Sequence, residues 1–497
     1  MKKLKLIFAT LLSVLFAFTG GKAFADDSTY TLTLDGTTTG HTYEVYQIFA
    51  GDVSSDGTTL SNITWGSGVT SFTFNGSSDA ATIAESLDGT TDDSSTAQSF
   101  ATTAAANLGT ATATVSSTAS TTTISGLAAG YYLVKDADNS QSGENSSYTR
   151  FILKVVGNAE ADLKSDVPSV EKKVKDINDS TETELSDWQD SADYDINDSV
   201  PFQLTATLPS NLDDYTEYYL ELSDTLSSGL TYNGDAKVYL DNDGVRTDVT
   251  SSFTIADDGS SFKINNLKSL DGVTSSTKVV VEYTATLNEN AVIGSEGNPN
   301  TVKLIYSNNP NYTGSGETSP TGETPEDTVI VFTYKVVVNK VDQNGDALEG
   351  AGFTLYKKVP DTSKDEGYRW DAVGDEITGV TTFTFSGLDD GDYKLSETTT
   401  PNGYNTIDDV EFTVTAEHDV ESDSPALTKL SGDATTGSLE FTSSTSAGSL
   451  TTDVVNKKGS VLPSTGGMGT TILYVVGTIL VLAAGILLVT KKRMDAK

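Results

Sequence analysis

From residue 26 to residue 458 the sequence is written in short runs in which apolar and polar residues alternate, each run ended by Gly, Asn or Asp. TYTLTLDG, HTYEVYQIF, TRFILKVV, KVVVEYTATL and TYKVVVNKVD are examples. A period of two places successive side chains on opposite faces of a strand. Frequent turn residues between the runs favour sandwiches over parallel sheets with helical crossovers. The expected fold class is therefore all-β, as tandem immunoglobulin-like β-sandwich domains. The one departure is Ser95–Leu108, Ala-rich and closed by Gly109, which predicts a short helix.

A chain of 497 residues is too long for one core. GNAEADLKSDVPS at 157–169 and YTGSGETSPTGETPED at 312–327 have linker composition. They predict three domains, at 26–160, 165–312 and 328–458. GLAAGYYLVKD at 126–136 and GLDDGDYKLSE at 387–397 repeat Gly, Leu, Gly, Tyr and a carboxylate at the same spacing. That echo predicts a shared fold for the first and third domains.

Both ends carry targeting features. Residues 1–25 have a Lys-rich start, an apolar stretch and Ala23-Phe24-Ala25, a secretory signal expected to be cut after Ala25. Residues 471–490 are almost wholly apolar, long enough to cross a bilayer, and are followed by Lys491, Lys492 and Arg493. Just before them stand Leu462, Pro463, Ser464, Thr465 and Gly466. In that order these features at 462–497 resemble the cell-wall sorting signal of Gram-positive surface proteins. The resemblance implies that a sortase cuts between Thr465 and Gly466 and passes the Thr465 carbonyl to an amine.

Composition excludes other roles. Thirty-one basic against 70 acidic residues give a net charge of −39, which repels nucleic acid. Cysteine is absent, so no disulfide, thiolate metal site or cysteine nucleophile can form, and two histidines leave little for a metal centre or a Ser-His-Asp triad. No enzyme, no cofactor and no metal is expected.

VEKKVKD at 170–176 points a lysine the wrong way, because Lys172 shares a face with Val170 and Val174. Such a lysine is a salt-bridge partner, a snorkelling side chain, or a desolvated neutral amine able to act as a nucleophile. An Asn carboxamide is a suitable target, giving an isopeptide bond and ammonia, with an acid held protonated in the same apolar site to shuttle protons.

With these residues in view the sequence resembles a sortase-assembled pilin of the backbone (shaft) type, with collagen-adhesin-like domains in the order B-type, A-type, B-type. NKVDQNGDALEGAGFTLYK, YKLSETTTPNGY and DVVNKKGSVLPSTGG resemble the opening strand, E-box and closing strand of a B-type domain. The resemblance implies Lys340 as linking lysine, Glu397 as catalytic acid and Asn456 as acceptor. PSVEKKVKD, LSDTLSSGLTY and GNPNTVKLIYSNNP resemble the companion A-type domain and imply Lys172, Asp224 and Asn300, with Lys173 and Asn308 as alternatives. Each of the six falls on the apolar-patterned face of its own run.

The first domain differs. No lysine or arginine lies between Ala25 and Lys135, so its opening strand has no linking lysine, although Asp136 holds the E-box position. It is expected to lack the bond and to be the most labile of the three. For joining subunits, the family's Y-P-K-N motif is missing. Lys164, in ADLKSDVPS, occupies the equivalent linker, and Lys154 is the runner-up.

The resemblance implies a structural shaft subunit of a wall-anchored surface pilus supporting adhesion. Its partners would be a class C pilin sortase, a housekeeping sortase, copies of itself, minor pilins, peptidoglycan and host matrix or glycans. The alternative is a monomeric wall-anchored adhesin built from the same stapled domains.

Overall fold

The computed structural model describes residues 28–37, 39–90, 94–141, 143–163, 166–182, 184–459 and 468–494. The signal region, Lys164 and the 462–466 motif lie outside them.

Three β-bodies follow one another. In the first, Tyr30–Asp35 lies between Thr121–Leu127 and Ala159–Asp162, and a second sheet runs Leu60–Trp65, Thr42–Val53, Gly130–Asp136, Arg150–Val155. Leu32, Leu34, Val45, Tyr132 and Val134 fill the space between them. The predicted helix is present as Ser95–Ala105, capped by the Ser94 hydroxyl. A second helix, Ala80–Ser86, capped by Asp79, carries no long apolar stripe that would betray it.

The middle body stacks a sheet centred on Asn298–Ser307 and Leu220–Leu226 on one centred on Lys278–Leu287 and Ser199–Thr207. Strand Ser169–Val174 edges the second sheet, with Lys172 opposite Leu204. The expected boundary at 312–327 moves. Strand Asp327–Phe332 pairs antiparallel with Asn298–Ser307 and parallel with Ser191–Asp193, sending Val329 and Val331 into the middle core. Buried valines of this kind contribute roughly 1.5–3 kcal/mol each, which a linker composition does not reveal. The third body therefore begins at Tyr334 rather than at 328.

That body sets Thr382–Leu388, Tyr334–Asp342, Ser449–Asn456 and Thr442–Ser444 against a sheet centred on Gly352–Pro360, Gly391–Thr399 and Val410–His418. Its first and last long strands are parallel neighbours, Lys340 facing Val454 and Asp342 facing Asn456. The internal echo has a structural basis. In both bodies the Gly-Leu run ends one strand (Thr121–Leu127, Thr382–Leu388) and the next begins at the second glycine (Gly130–Asp136, Gly391–Thr399). The first of each pair joins the opening strand's sheet, and the second joins the opposite sheet.

Beyond the three bodies, helix Met468–Met494 includes the span Thr471–Met494, with a mean hydropathy of 2.8 and Lys491, Lys492 and Arg493 in its last turn.

Candidate functional site

Two separate sites assemble from the residues singled out in the sequence. In the middle body, Lys172 comes from the edge strand of one sheet, and Asp224 and Asn300 from adjacent strands of the other. All three are buried, Lys172 and Asn300 completely. Lys172 Nζ is paired with Asp224 Oδ1 and lies 3.2 Å from the Tyr283 hydroxyl. It also stands 5.6 Å from the ring centroids of Phe202 and Tyr283, so the walls are aromatic. Burial lowers the Lys172 pKa from the usual lysine range, against the opposing pull of Asp224. That is the direction that makes the amine available as a nucleophile.

Tyr283 was not singled out in the sequence. Its hydroxyl accepts from Asn300 Nδ2 at 2.7 Å and donates to Asp224 Oδ2 at 2.5 Å, and so contacts lysine, acid and amide together. The available signal was parity alone: Val279, Val281, Tyr283, Ala285 and Leu287 alternate into the core. Among the described residues, Asn300 Oδ1 is buried without a hydrogen-bond partner. A buried, unpartnered carbonyl oxygen is costly and rare in a settled structure.

The alternatives fall elsewhere. Lys173 turns to Asp190 at 2.6 Å and Glu171 at 3.3 Å with a quarter of its side chain exposed. Asn308 donates to Ser146 Oγ at 3.0 Å, where the first body meets the middle one.

In the third body the set is built within one sheet and completed from the other. Lys340 is completely buried, its Nζ donating to the carbonyls of Val341 at 3.1 Å and Val454 at 2.9 Å. Asn456 Nδ2 donates to Glu397 Oε1 at 2.7 Å, and Glu397 Oε2 accepts from the Ile407 N–H at 3.0 Å. Burial again lowers the lysine pKa, opposed by Glu397 and Asp342. Asn456 Oδ1 repeats the unpartnered amide oxygen of Asn300. Two unlike frameworks thus present the same chemistry: a desolvated amine, a carboxyl group and an amide with a bare carbonyl.

In the first body, Asp136 is buried among His41 Nδ1 at 3.2 Å, Gln141 Nε2 at 3.1 Å and the Thr149 N–H at 2.6 Å. Lys135, next along the strand, turns instead to Asp138 at 2.9 Å and Glu44 at 3.6 Å. Lys154 donates to the Thr58 carbonyl at 2.8 Å, on the face opposite buried Leu153 and Val155.

Comparison with known proteins agrees with this layout. Residues 196–310 match the Gram-positive pilin backbone subunit 2, Cna-B-like domain, and residues 334–425 match the SpaA prealbumin-like fold domain. Residues 454–496 match the LPXTG cell wall anchor motif. The trypsin-resistant surface T6 protein of Streptococcus pyogenes serotype M6 is 25% identical over 401 residues, covering 66% of this chain and 70% of the relative. The solved T6 backbone pilin of the same serotype superposes with a TM-score of 0.53 at 19% identity, over 88% of this chain and 100% of that one, which shows a common fold. The full-length major pilin SpaD of Corynebacterium diphtheriae gives 0.49 at 17% identity, over 88% of this chain and 100% of that one. The matched pilin backbone domain, prealbumin-like domain and cell-wall anchor together support a Gram-positive sortase-assembled major pilin, a cell-wall-anchored structural subunit of the pilus shaft.

Proposed function

We propose that the middle and third bodies are each closed by a self-made isopeptide bond, Lys172 to Asn300 and Lys340 to Asn456, with Asp224 and Glu397 as the respective acids. The lysine nitrogen attacks the carboxamide carbon. The new C–N bond forms as the old one breaks, the acid passes a proton to the departing nitrogen, and ammonia leaves with the hydrogens of both groups accounted for. No oxidant or cofactor enters, and each protein copy reacts once, so this is maturation rather than enzymatic turnover. The observation that carries the reading is Lys172: fully buried and in contact with an acid and with the tyrosine that holds the amide.

Polymerisation follows the same bond type between copies. A class C sortase would cut after Thr465 and deliver its carbonyl to Lys164 of the next subunit, with Lys154 as the second choice. A housekeeping sortase would attach the finished fibre, with any minor pilins, to peptidoglycan. A role in adhesion to host matrix or glycans rests on the pilus as a whole.

The test is the intact mass of the full chain extracted in detergent from the membranes of cells lacking sortases. Two missing ammonia masses are expected, one restored by Lys172→Ala and the other by Lys340→Ala. A full unmodified mass in folded protein would overturn the reading, leaving Lys172 as one half of a buried ion pair.

A further inference from the structure

The chain passes from the middle body to the third once, at Thr333, between the strands ending at Phe332 and beginning at Tyr334. Away from that crossing the two bodies are docked, not continuous. Ile196 N–H donates to the Gly387 carbonyl at 3.0 Å, Asp190 N–H to Val420 at 2.9 Å and Ser295 N–H to Thr445 at 3.0 Å. Ionisable side chains fill the same seam. Lys357 of the third body is engaged with Asp179 and Asp195 of the middle one, and stands 3.5 Å from Asp389. The Ser191 hydroxyl gives its hydrogen to the Asp419 carbonyl at 2.5 Å, so His418 Nδ1 must donate to that hydroxyl at 2.7 Å. His418 Nε2 faces Asp193 at 3.4 Å and Asp176 at 3.6 Å.

Seven carboxyl groups meet here: Asp176, Asp179, Asp193, Asp195 and Asp198 from the middle body, Asp389 and Asp390 from the third. Among the described residues, the ion pairs to them come from Lys357 and His418 alone. The Asp389–Asp390 turn is faced by Asp176, Asp193, Asp195 and Asn178 across the seam and by Lys357 on its own side. Tyr194, Tyr334 and Tyr393 close the remaining sides, Tyr334 hydrogen-bonded to Asp193. Asp198 is faced by Asp195, Asp179 and Lys357. Seven buried carboxyls beside two cations cannot all be ionised, because desolvation and mutual repulsion both favour the neutral form. Burial, with Asp193 and Asp176 adding to it, pushes Asp390 up to about 8, and burial with Asp195 pushes Asp198 up to about 6. Burial pulls His418 down, but its contacts with Asp176 and Asp193 prevail and push it up to about 10. Undocked, these groups would face water and titrate at ordinary values. Docking therefore binds protons on the acids and on the imidazole alike.

We propose that this seam is a proton-operated joint: the third body docks on the middle one while the Asp389–Asp390 turn is neutral and His418 is charged, and the two swing apart about Thr333 as those protons leave. The sign is the same for both groups. A carboxyl raised on docking holds an extra proton between about 4 and its docked value, so its contribution is lost as pH rises through that window. An imidazole raised on docking does the same between about 6.5 and its own docked value. The windows of Asp390 and His418 overlap just above neutrality, where each proton changes the docking constant by up to about tenfold per pH unit. The shaft is then stiff between these bodies in mild acid and free to bend in alkali. This inference is independent of the isopeptide reading, since both of those bonds lie within a body.

The test uses the absence of cysteine from the chain. Val245→Cys on the middle body and Val380→Cys on the third, at positions 69% and 41% exposed, take a fluorophore pair without competition. Single-molecule energy transfer is then recorded on the detergent-extracted full chain across the neutral and alkaline range. One narrow, docked population is expected in mild acid, with a second, separated population growing about tenfold or more per pH unit above neutrality. Asp390→Asn, neutral at every pH, should cut the separated share in alkali at least tenfold, and Asp389→Asn should act in the same direction. Asp258→Asn, on an exposed turn of the middle body, should leave the response unchanged. If one of the two junction variants fails to fold, the other decides. A single population at every pH, or an undiminished response in the junction variants, would overturn the proposal.

Discussion

The hydroxyl of Tyr283 accepts a hydrogen bond from the side-chain amide of Asn300 at 2.7 Å. The same oxygen donates to Asp224 and contacts Lys172, so it lies on a proton path between amine, acid and leaving group. Tyr283→Phe keeps the ring and removes that path. Bond formation in the middle body should slow by about 100-fold, while the Lys340 bond forms at its usual rate. Intact mass followed over time after refolding measures both at once, and equal rates in variant and wild type would refute the role.

Unlinked variants expose the underlying charge pair. With Asn300→Ala as reference, adding Asp224→Ala leaves a buried ammonium without its carboxylate and should cost about 3–5 kcal/mol. Adding Lys172→Met to that pair should restore most of the loss, because an apolar side chain of similar length suits the pocket. Urea denaturation of the three proteins gives the comparison, and a cost below 1 kcal/mol would place the pair in the class of surface ion pairs.

The pH dependence has a definite sign. Burial depresses the Lys172 pKa, so between that value and the ordinary lysine value the unfolded chain holds more protons than the folded one. The stability of Asn300→Ala should therefore rise with pH between those two values, the penalty being greatest where the folded lysine is charged. Relative to Asn300→Ala carrying Lys172→Met, denaturation midpoints should show this slope, and parallel curves would exclude it.

The two proposed bonds would carry mechanical load unequally. Asn300 lies near the start of the strand Asn298–Ser307, and the body continues to Phe332 through two further strands held by ladder hydrogen bonds and by the burial of Val329 and Val331, with no covalent tie beyond Asn300. Pulling should release residues 301–332 first, an extension of about 100 Å, with the rest of the middle body intact. Asn300→Ala should lengthen the step several-fold in single-molecule stretching. In the third body Asn456 ends the last strand, so no comparable release is expected there.

The first body should yield before the others. Its Asp136 faces His41 and Gln141, whereas the other two bodies bury a lysine and an asparagine along with the acid. Limited thermolysin digestion of the detergent-extracted chain should cut within residues 26–160 while both other bodies persist. Survival of the first body beyond the third would contradict this.

Much of this was legible in the sequence because alternation is a local property. Period two fixed which residues of each run face inward, and for Lys172, Asp224, Asn300, Lys340, Glu397 and Asn456 parity put the chemistry on the buried side. The Gly-Leu echo likewise located equivalent hairpins in the first and third bodies. The end of the middle body was not legible, since Asp327–Phe332 could pair with either neighbour and only the sheet decides. Three further points belonged to the tertiary structure alone. Lys172 and Asn300 come from opposite sheets while Lys340 and Asn456 share one. Tyr283 reads as one more core aromatic until its hydroxyl is seen between three reactive groups. The aspartate junction brings together residues nearly two hundred positions apart, such as Asp195 and Asp389, which their spacing does not announce. Pattern specifies which face a side chain takes, because the strand backbone enforces it; which side chains meet across two sheets or two bodies depends on packing, which no local period encodes.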